Sequence, residues 1–139
     1  MKLDLLRMQQ MVINLLQNAL KFSKANDYVT VRLKLIDTCE PTDVELQIEV
    51  IDQGIGIPEA DLPNIFKPYF KSTDSTVINK NSYGNGLGLS ICQRIMSQLN
   101  GRIKVKSKQG NGSTFKVKLK TQKVKNNVSW VSFNTLDIL

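Results

Sequence analysis

The sequence contains no histidine, and its cysteine and aromatic residues are few. Without histidine, Ser/His catalysis, Cys/His catalysis and most zinc sites are excluded. The two cysteines, Cys39 and Cys92, lack the paired spacing of a metal site or of a disulfide framework. We therefore interpret both as free thiols in a reducing compartment.

Long hydrophobic runs are also missing. No apolar segment approaches the roughly 20 residues that a membrane-spanning helix needs, and no charged-then-apolar signal segment opens the sequence. With 139 residues and 41% hydrophobic content, the chain can form one domain with a substantial core. We expect a soluble, cytoplasmic segment that does not itself insert into a membrane, whether or not the full-length protein is membrane-anchored.

The basic residues are concentrated in the last third of the chain. The formal net charge is +7, and nine of the 19 basic residues lie between Arg102 and Lys125. Lysine alternates there with apolar residues, the period-two pattern of a strand with one buried and one solvated face. Because the pattern lacks the run of aromatic residues that a single-strand binder needs, we favour a solvated sheet face over a phosphate-binding surface. No nucleic-acid partner is expected.

Hydrophobic periodicity predicts helices and strands in alternation. Apolar residues at helical spacing predict a helix over Leu3–Ser23, and period-two segments predict a strand pair, Tyr28–Ile36 and Val44–Ile51. Further elements are expected in this order: a short helix over Glu59–Ile65, a polar tract over 71–85, a helix over 86–101, and a hairpin of strands over 102–108 and 113–120. This order predicts a two-layer α/β (α+β) sandwich, with a mixed β-sheet and about three helices on one face. We assign residues 1–120 to this domain and residues 121–139 to a C-terminal extension or linker.

Two asparagines lie four residues apart on the first predicted helix. Asparagine is a poor helix former, yet Asn14 and Asn18 fall on one helical face, with Lys21 close to the same stripe. Amide oxygens are ligands for a hard cation such as Mg2+, which needs only one or two protein oxygens when phosphates and waters complete its shell. The alternative is a pair of solvent-facing asparagines on a surface helix.

The segment "VIDQGIGIP" places Asp52 directly after an apolar strand, with Gly54 and Gly56 following. A carboxylate there can accept a hydrogen bond from the exocyclic amine that distinguishes adenine from guanine. The glycines allow the backbone to approach a base closely. The alternative is an ordinary D-x-G turn.

The segment "GNGLGLS" places Gly84, Gly86 and Gly88 just before the second long helix. Unpaired amides at a helix start favour a phosphate chain, and the glycines also give the preceding polar tract a hinge. The segment differs from the dinucleotide fingerprint because no parallel-strand unit precedes it.

Five segments in this chain resemble the motifs of a known family. They are "NLLQNALKFS", "DQGIGIP", "IFKPYF", "GNGLGLSI" and "GNGSTFKVKL", and they are similar to the N, G1, F and G2 boxes and the terminal strand of the ATP-binding catalytic (HATPase) domain of sensor histidine kinases. That domain belongs to the Bergerat-fold superfamily, together with gyrase, mismatch-repair ATPases and the large heat-shock chaperones. The resemblance runs from about Asp4 to Leu119. It implies a Bergerat ATP-binding fold with a flexible lid, and ATP and Mg2+ as cofactors.

The resemblance also implies roles for the matching residues. Asn18 would bind Mg2+, while Asn14 and Lys21 would lie beside the phosphates as the catalytic residues. The other implied contacts are Asp52 with adenine, Phe22 with the base or ribose, Gly54, Gly56 and Ile57 under the base, Phe66 and Phe70 beside the lid, Lys71, Gly84, Gly86 and Gly88 near the phosphates, Leu87 and Leu89 at the end of the lid, and Thr114 supporting Asp52 through water.

Asn14 bears on the reaction. In the ATP-hydrolysing relatives, and in the mitochondrial kinases that phosphorylate serine, a glutamate at this position acts as general base. Asparagine cannot remove a proton, whereas a neutral imidazole is already a competent nucleophile. The resemblance therefore implies a protein histidine kinase that transfers the γ-phosphate of Mg-ATP to histidine in two-component signalling.

The acceptor histidine is absent from this sequence, as is the dimeric helical hairpin that carries it in the family. We expect a separate phosphoacceptor domain, either a missing upstream portion or a partner, followed by a response-regulator receiver domain. Two alternatives remain open. One is an ATP-binding sensor module without phosphotransfer, and the other is a slow ATPase of the same superfamily, which Asn14 disfavours.

Overall fold

Helices and strands account for most of the computed structural model, which describes residues 4–74 and 84–123 and the backbone of residues 136–138. In chain order the elements are α1 (Leu5–Phe22), β1 (Val29–Asp37), β2 (Asp43–Asp52), α2 (Gly88–Gln98), β3 (Arg102–Ser107), β4 (Ser113–Gln122) and β5 (Leu136–Ile138). Most of the predicted polar tract and lid lies outside the described residues. None of the described helices is long and apolar enough to cross a bilayer.

The five strands form one sheet in the order β3-β4-β2-β1-β5. The predicted strand pair β1–β2 and the predicted hairpin β3–β4 are confirmed. Every described pairing in the sheet, which the sequence predicts to be mixed, is antiparallel. β2 and β4 are distant in sequence but pair along their whole length, which places Asp52 opposite Ser113.

The helix α1 is fixed at both ends by side chains. Asp4 caps its start, because its Oδ1 accepts a hydrogen bond from the Arg7 N–H at 3.1 Å. At its end, the N–H and the hydroxyl of Ser23 both donate to the carbonyl of Ala19. The buried residues of α1 recur at helical spacing and form one stripe: Met8, Met11, Leu15 and Ala19.

The core lies between the two helices and one face of the sheet. α2 contributes Cys92, Ile95 and Met96, and alternate residues of β2 and β4 point towards them. Phe115 of β4 is 1% exposed and meets Phe66 edge-to-face, with ring centroids 6.5 Å apart. The predicted two-layer sandwich, with helices on one face of the sheet, is confirmed.

The segment 59–65 is a series of turns. The N–H groups of Asp61 and Asn64 donate to the carbonyls three residues earlier, at 2.9 and 2.8 Å. Pro63 has no N–H and its ring clashes with the preceding turn of an α-helix, so the helical ladder cannot run through it. The prediction of a helix over Glu59–Ile65 is therefore wrong.

Part of the C-terminal segment joins the sheet. β4 continues to Gln122, past the boundary assigned at residue 120, and the Lys123 N–H donates to the Thr42 carbonyl at 2.8 Å. β5 pairs with β1 and places Ile138 opposite Val29. The rest of the segment 121–139 lies outside the described residues.

Candidate functional site

A cavity of about 470 Å³ opens between α1, the start of α2 and the loop that follows β2. Its volume is in the range of small-molecule sites. Most of the residues predicted for the site line it: Asn14, Asn18, Lys21, Phe22, Asp52, Gly56, Ile57, Lys71, Gly84, Gly86, Leu87, Gly88 and Leu89. Gly54, Phe66 and Thr114 do not.

Asp52, the last residue of β2, lies in the wall of the cavity with 5% of its surface exposed. Its Oδ1 accepts hydrogen bonds from the N–H groups of Gly54 at 2.9 Å and Ser113 at 3.2 Å. Burial raises the pKa of this carboxyl above its ordinary value, while the two hydrogen bonds favour the charged form and oppose the rise. Because both donors reach Oδ1, Oδ2 is the oxygen that a ligand N–H would meet.

The loop after β2 is pressed against two other stretches of backbone. A Cβ at Gly54 would lie 2.4 Å from the carbonyl oxygen of Phe22, and a Cβ at Gly56 would lie 2.1 Å from that of Lys108. Gly56 also has a φ of +70°, which side chains disfavour. The loop that carries the cavity wall therefore has glycine where it meets α1 and the β3–β4 hairpin.

Gly56→Ala is expected to lower the free energy of unfolding by at least about 2 kcal/mol, through overlap with Lys108 and backbone strain. Gly110→Ala is the matched control, since Gly110 has a φ of +86° but no atom within 4 Å of a Cβ. It should cost only about 1 kcal/mol. Urea unfolding followed by circular dichroism measures both, and equal losses would show that the close approach to Lys108 contributes nothing.

Two lysine side chains reach the same cavity. Lys21 comes from the last turn of α1, and Lys71 from the segment after the turns. Burial lowers the pKa of Lys21, and repulsion by Lys71 lowers it further. A Cβ at Gly84 would lie 2.9 Å from the Lys21 Nζ, so the glycine backbone lies close to the ammonium group. Neighbouring ammonium groups favour an anion between them, as a phosphate chain would supply.

The first turn of α2 borders the cavity through Gly88 and Leu89. Leu87 occupies the N-cap position and provides no side-chain cap, so the first amides of the helix have no side-chain acceptor there. Gly86 has a φ of +67° and its carbonyl accepts a hydrogen bond from the Tyr69 N–H at 2.9 Å. Uncapped amides and the helix dipole together suit a phosphate group.

Asn14 and Asn18 both line the cavity from α1, as their spacing predicts. The Nδ2 of Asn14 is buried and has no hydrogen-bond partner in the described part of the chain. Burial raises the pKa of the Cys92 thiol to about 12, although the nearby Asn14 side chain acts in the opposite direction. The buried amide nitrogen therefore faces the Cys92 thiol, a weak acceptor, rather than a ligand in the cavity.

The donor set of the cavity fits a nucleotide-bound magnesium ion. Within residues 4–74 and 84–123 there is no cluster of three or more His, Cys, Asp or Glu side chains that could hold a metal. Asn18 supplies an amide oxygen in the cavity wall. Mg2+ commonly takes one or two protein oxygens and completes its octahedron with phosphates and water, so these residues fit that ion only when phosphates accompany it.

Two of the predicted residues that do not line the cavity, Gly54 and Phe66, contact residues behind its wall. Gly54 donates to the Asp52 carboxylate. Phe66 packs into the core against Phe115, whereas Phe70, the second phenylalanine of the "IFKPYF" segment, lines the cavity. Of the two phenylalanines in this segment, Phe70 is therefore the one beside the expected ligand, and Phe22 of α1 also lines the cavity.

Thr114 requires a correction. β4 alternates, so Ser113 and Phe115 face the core layer while Thr114 faces the other side of the sheet. Ser113 lies opposite Asp52 and donates to it. The position expected for Thr114 is occupied by Ser113.

Several residues of the cavity wall are not among the predicted site residues: Gln17, Pro58, Asp61, Ile65, Ser72, Asn85, Ile91 and Ser113. Helical spacing could have indicated Gln17, which follows Asn14 by three positions. Strand alternation could have indicated Ser113. The residues of the irregular segments carry no such periodic signal.

Ser107 links two parts of the cavity wall. Its Oγ accepts a hydrogen bond from the Ile57 N–H at 2.8 Å and lies 2.9 Å from both the Gly112 carbonyl oxygen and the Ser113 Oγ. The hydroxyl therefore fixes the loop that carries Ile57 against the strand that supports Asp52.

Ser107→Ala is expected to weaken binding of ATP, the expected ligand, about three- to tenfold, because the Ile57 N–H loses its acceptor. Isothermal titration calorimetry measures this, and Ser107→Thr should restore most of the affinity. The matched control is Ser97→Ala, whose hydroxyl bonds the Gln93 carbonyl on the exposed side of α2. A weakening as large in Ser97→Ala would rule out a specific role for Ser107.

Residues 3–123 match the family described as histidine kinase-, DNA gyrase B- and HSP90-like ATPases. The chain is 38% identical over 116 residues to the autoinducer 2 sensor kinase/phosphatase LuxQ of Vibrio cholerae, a match that covers 84% of this chain and 13% of that protein. It is 39% identical over 119 residues to hybrid signal transduction histidine kinase A of Dictyostelium discoideum, covering 81% of this chain and 5% of that protein. The chain thus spans a small part of these relatives.

Solved structures of histidine kinases share the fold. The mycobacterial sensor histidine kinase MprB aligns with a TM-score of 0.64 and 32% identity, covering 82% of this chain and 72% of that one. The catalytic domain of histidine kinase ThkA aligns with a TM-score of 0.60 and 29% identity, covering 84% and 69%. The chain belongs to the histidine kinase-, DNA gyrase B- and HSP90-like ATPase family, as a catalytic domain of the sensor histidine kinase type.

Proposed function

We propose that the chain binds Mg-ATP in this cavity and transfers the γ-phosphate to a histidine on a separate phosphoacceptor domain. The observation that carries the proposal is one cavity lined by a buried carboxylate, Asp52, and by two neighbouring ammonium groups, Lys21 and Lys71. A carboxylate suits the amine of adenine, and ammonium groups suit a triphosphate. Membership of an ATPase family supports ATP as the nucleotide.

Asp52 selects the base in this proposal. Its Oδ2 accepts a hydrogen bond from the exocyclic amine of adenine, while Gly54 and Ser113 hold Oδ1 in place. Guanine carries a carbonyl where adenine carries the amine, so the same carboxylate repels it. The water-mediated support that the family resemblance implies would come from Ser113.

The phosphates lie at Lys21, Lys71 and the first turn of α2. Lys21 neutralises the negative charge of the triphosphate and holds it in line with the acceptor histidine. The amides of Gly88 and Leu89 donate further hydrogen bonds to the phosphates. When bound, Mg2+ would add charge neutralisation and fix the phosphate conformation, with Asn18 supplying a protein oxygen. Catalysis then rests on positioning and charge neutralisation, as in phosphoryl transfer generally.

The transfer itself needs no general base from this chain. A neutral imidazole nitrogen forms the new bond to the γ-phosphorus with its own lone pair, and the bond from that phosphorus to the bridging oxygen breaks, with its electron pair leaving on ADP. Asn14 lies in the cavity wall and cannot take a proton from water. This favours histidine over water or a serine hydroxyl as the acceptor.

The acceptor is supplied by another polypeptide or by a further part of the protein, because this sequence contains no histidine. A response-regulator receiver domain would then take the phosphate from that histidine. Both partners, and a cytoplasmic location for this domain, belong to the proposal. The relatives that are named sensor and hybrid histidine kinases support it.

The test is incubation of the chain with γ-labelled ATP, Mg2+ and a helical-hairpin domain that carries the family's acceptor histidine. Label is expected on the hairpin in an acid-labile, base-stable form, and none is expected on a hairpin whose acceptor histidine is replaced by glutamine. Bound ATP without label transfer would identify a sensor module. Steady release of phosphate without the hairpin would identify an ATPase.

A further inference from the structure

The face of the sheet opposite the helices and the cavity carries a cluster of cations. On β3 and β4, the residues that point away from the core are basic apart from Thr114 and the terminal Gln122: Arg102, Lys104, Lys106, Lys116, Lys118 and Lys120. We call these six residues the basic face. Because alternate residues of a strand share one side of the sheet, all six side chains project in one direction.

The pairing of the strands places like charges next to each other on this face. Arg102 lies directly opposite Lys118, and Lys104 lies directly opposite Lys116. Like charges at directly opposed positions destabilise a sheet. The β3–β4 pair therefore carries a repulsion that its folding does not require.

Two acidic residues of β2 offset part of this repulsion. Lys116 Nζ lies 2.7 Å from the Oε1 of Glu49, and Lys118 Nζ lies 3.0 Å from the Oε1 of Glu45. The hydrogen bond from Lys116 holds the pKa of Glu49 below its ordinary value. The other four cations are exposed and form no ion pair with any residue in the described ranges: Arg102, Lys104, Lys106 and Lys120.

Protection of a sheet edge explains only part of this pattern. β3 is an edge strand, and lysines on an edge discourage pairing with other chains. β4 is not at the edge, since it lies between β3 and β2. Edge protection therefore does not account for Lys120 on β4, and four unpaired cations on one face of the sheet suit a large anionic partner on its outside.

The sequence alone favours a solvated sheet face here, but from the opposed and unpaired cations we propose instead that the basic face binds the anionic headgroups of a lipid membrane surface. The cations project from one sheet face, and lipids can move laterally to place a phosphate beside each of the four unpaired groups. Each such cation is expected to raise the affinity for an anionic membrane about fivefold. The basic face has no aromatic side chain on which bases of a single strand could stack and no helix that could enter a groove of duplex DNA.

Binding through the basic face would orient the domain without closing its cavity. The cavity lies between the two helices on the other side of the sheet, so it would face away from the membrane. The inference does not depend on phosphotransfer, because the basic face shares no residue with the cavity wall.

The test is sedimentation of the 139-residue chain with vesicles of phosphatidylcholine, with or without about 30% phosphatidylserine, in low salt. Binding is expected only with phosphatidylserine, and it should fall steeply between about 0.1 and 0.5 M NaCl. The double variant Lys104→Glu/Lys106→Glu should bind at least about tenfold more weakly. Circular dichroism verifies that the variant is folded, and Lys104→Ala/Lys106→Ala should show a smaller loss.

The matched control is Lys24→Glu/Lys67→Glu, which changes the net charge by the same amount at two exposed positions outside the basic face. It should lose less than about threefold. Equal loss in the two double variants would show attraction by net charge alone and overturn the proposal. So would absence of binding to the phosphatidylserine vesicles, or tighter binding of a duplex DNA probe than of those vesicles.

Discussion

Asp52→Asn is expected to lower the affinity for ATP about 100-fold at neutral pH. The asparagine keeps the size of the side chain and an oxygen for the N–H groups of Gly54 and Ser113, so the loop can stay in place. The charge is lost, and the new NH2 group would face the adenine amine, donor against donor. A loss of about 3 kcal/mol at a buried polar contact corresponds to this factor. Calorimetric titration with ATP measures it.

The control variant is Asp43→Asn, which makes the same charge change at the opposite end of β2 and should bind ATP like the wild type. GTP provides a second comparison, because a carboxylate that accepts from the adenine amine would repel the guanine carbonyl. Asp52→Asn should therefore narrow the difference between ATP and GTP. An unchanged preference between the two nucleotides would show that Asp52 does not contact the base.

The raised pKa of Asp52 adds a prediction on stability without nucleotide. Burial is the main cause of the rise, so the folded state holds this proton more tightly than the unfolded state. The stabilising contribution of the group is complete below the unfolded pKa and is lost as the pH rises through the folded pKa. At neutral pH the ionised carboxylate therefore costs stability, and Asp52→Asn should melt at or above the wild-type temperature. A clearly lower melting temperature would contradict this.

The same pKa also fixes the direction of the pH dependence of ATP binding. In the proposed function the ionised carboxylate accepts a hydrogen bond from adenine, so the affinity for ATP should decrease on acidification through the raised pKa, at a higher pH than an ordinary aspartate would give. Asp52→Asn should lack this decrease. Titrations of both proteins across the acidic range make the comparison.

Features that depend on one element could be predicted from the sequence. The helical repeat alone places Asn14, Asn18 and Lys21 on one side of α1, and the end of an apolar strand alone places Asp52. The wrong assignment of the Asp52-supporting role to Thr114 came from a shift of one residue. Side chains of a strand alternate between its two faces, so a shift of one residue moves a side chain to the other face of the sheet. The alternation of apolar residues in β4 did contain the signal for Ser113.

Features that depend on pairing between distant segments could not be predicted. The contact of Ser107 with Ile57 requires that the β3–β4 hairpin lie against the loop after β2. The ion pair of Glu49 with Lys116 requires that β4 pair with β2, although they are far apart in sequence. Nothing in the local periodicity of either segment specifies this pairing.

Asn18→Ala is expected to remove the part of ATP affinity that depends on Mg2+ and to slow phosphotransfer about 100-fold. The side chain lines the cavity from a helix whose other face is fixed in the core, so truncation should remove the proposed metal ligand without moving α1. Loss of one protein oxygen should weaken the metal, and with it the neutralisation of the phosphates. Titrations with ATP in Mg2+ and in chelator, together with label transfer, measure both effects.

The comparison that decides the role of Asn18 is with its neighbour Gln17. Both side chains line the cavity and both lose an amide on replacement by alanine, but Gln17 is the more exposed of the two. Gln17→Ala should bind ATP within about threefold of the wild type in both conditions. In chelator, Asn18→Ala and the wild type should bind ATP with equal affinity, because without Mg2+ the wild-type Asn18 has no metal to bind. A loss of equal size with and without Mg2+ would place Asn18 on the nucleotide itself and rule out its role as the metal ligand.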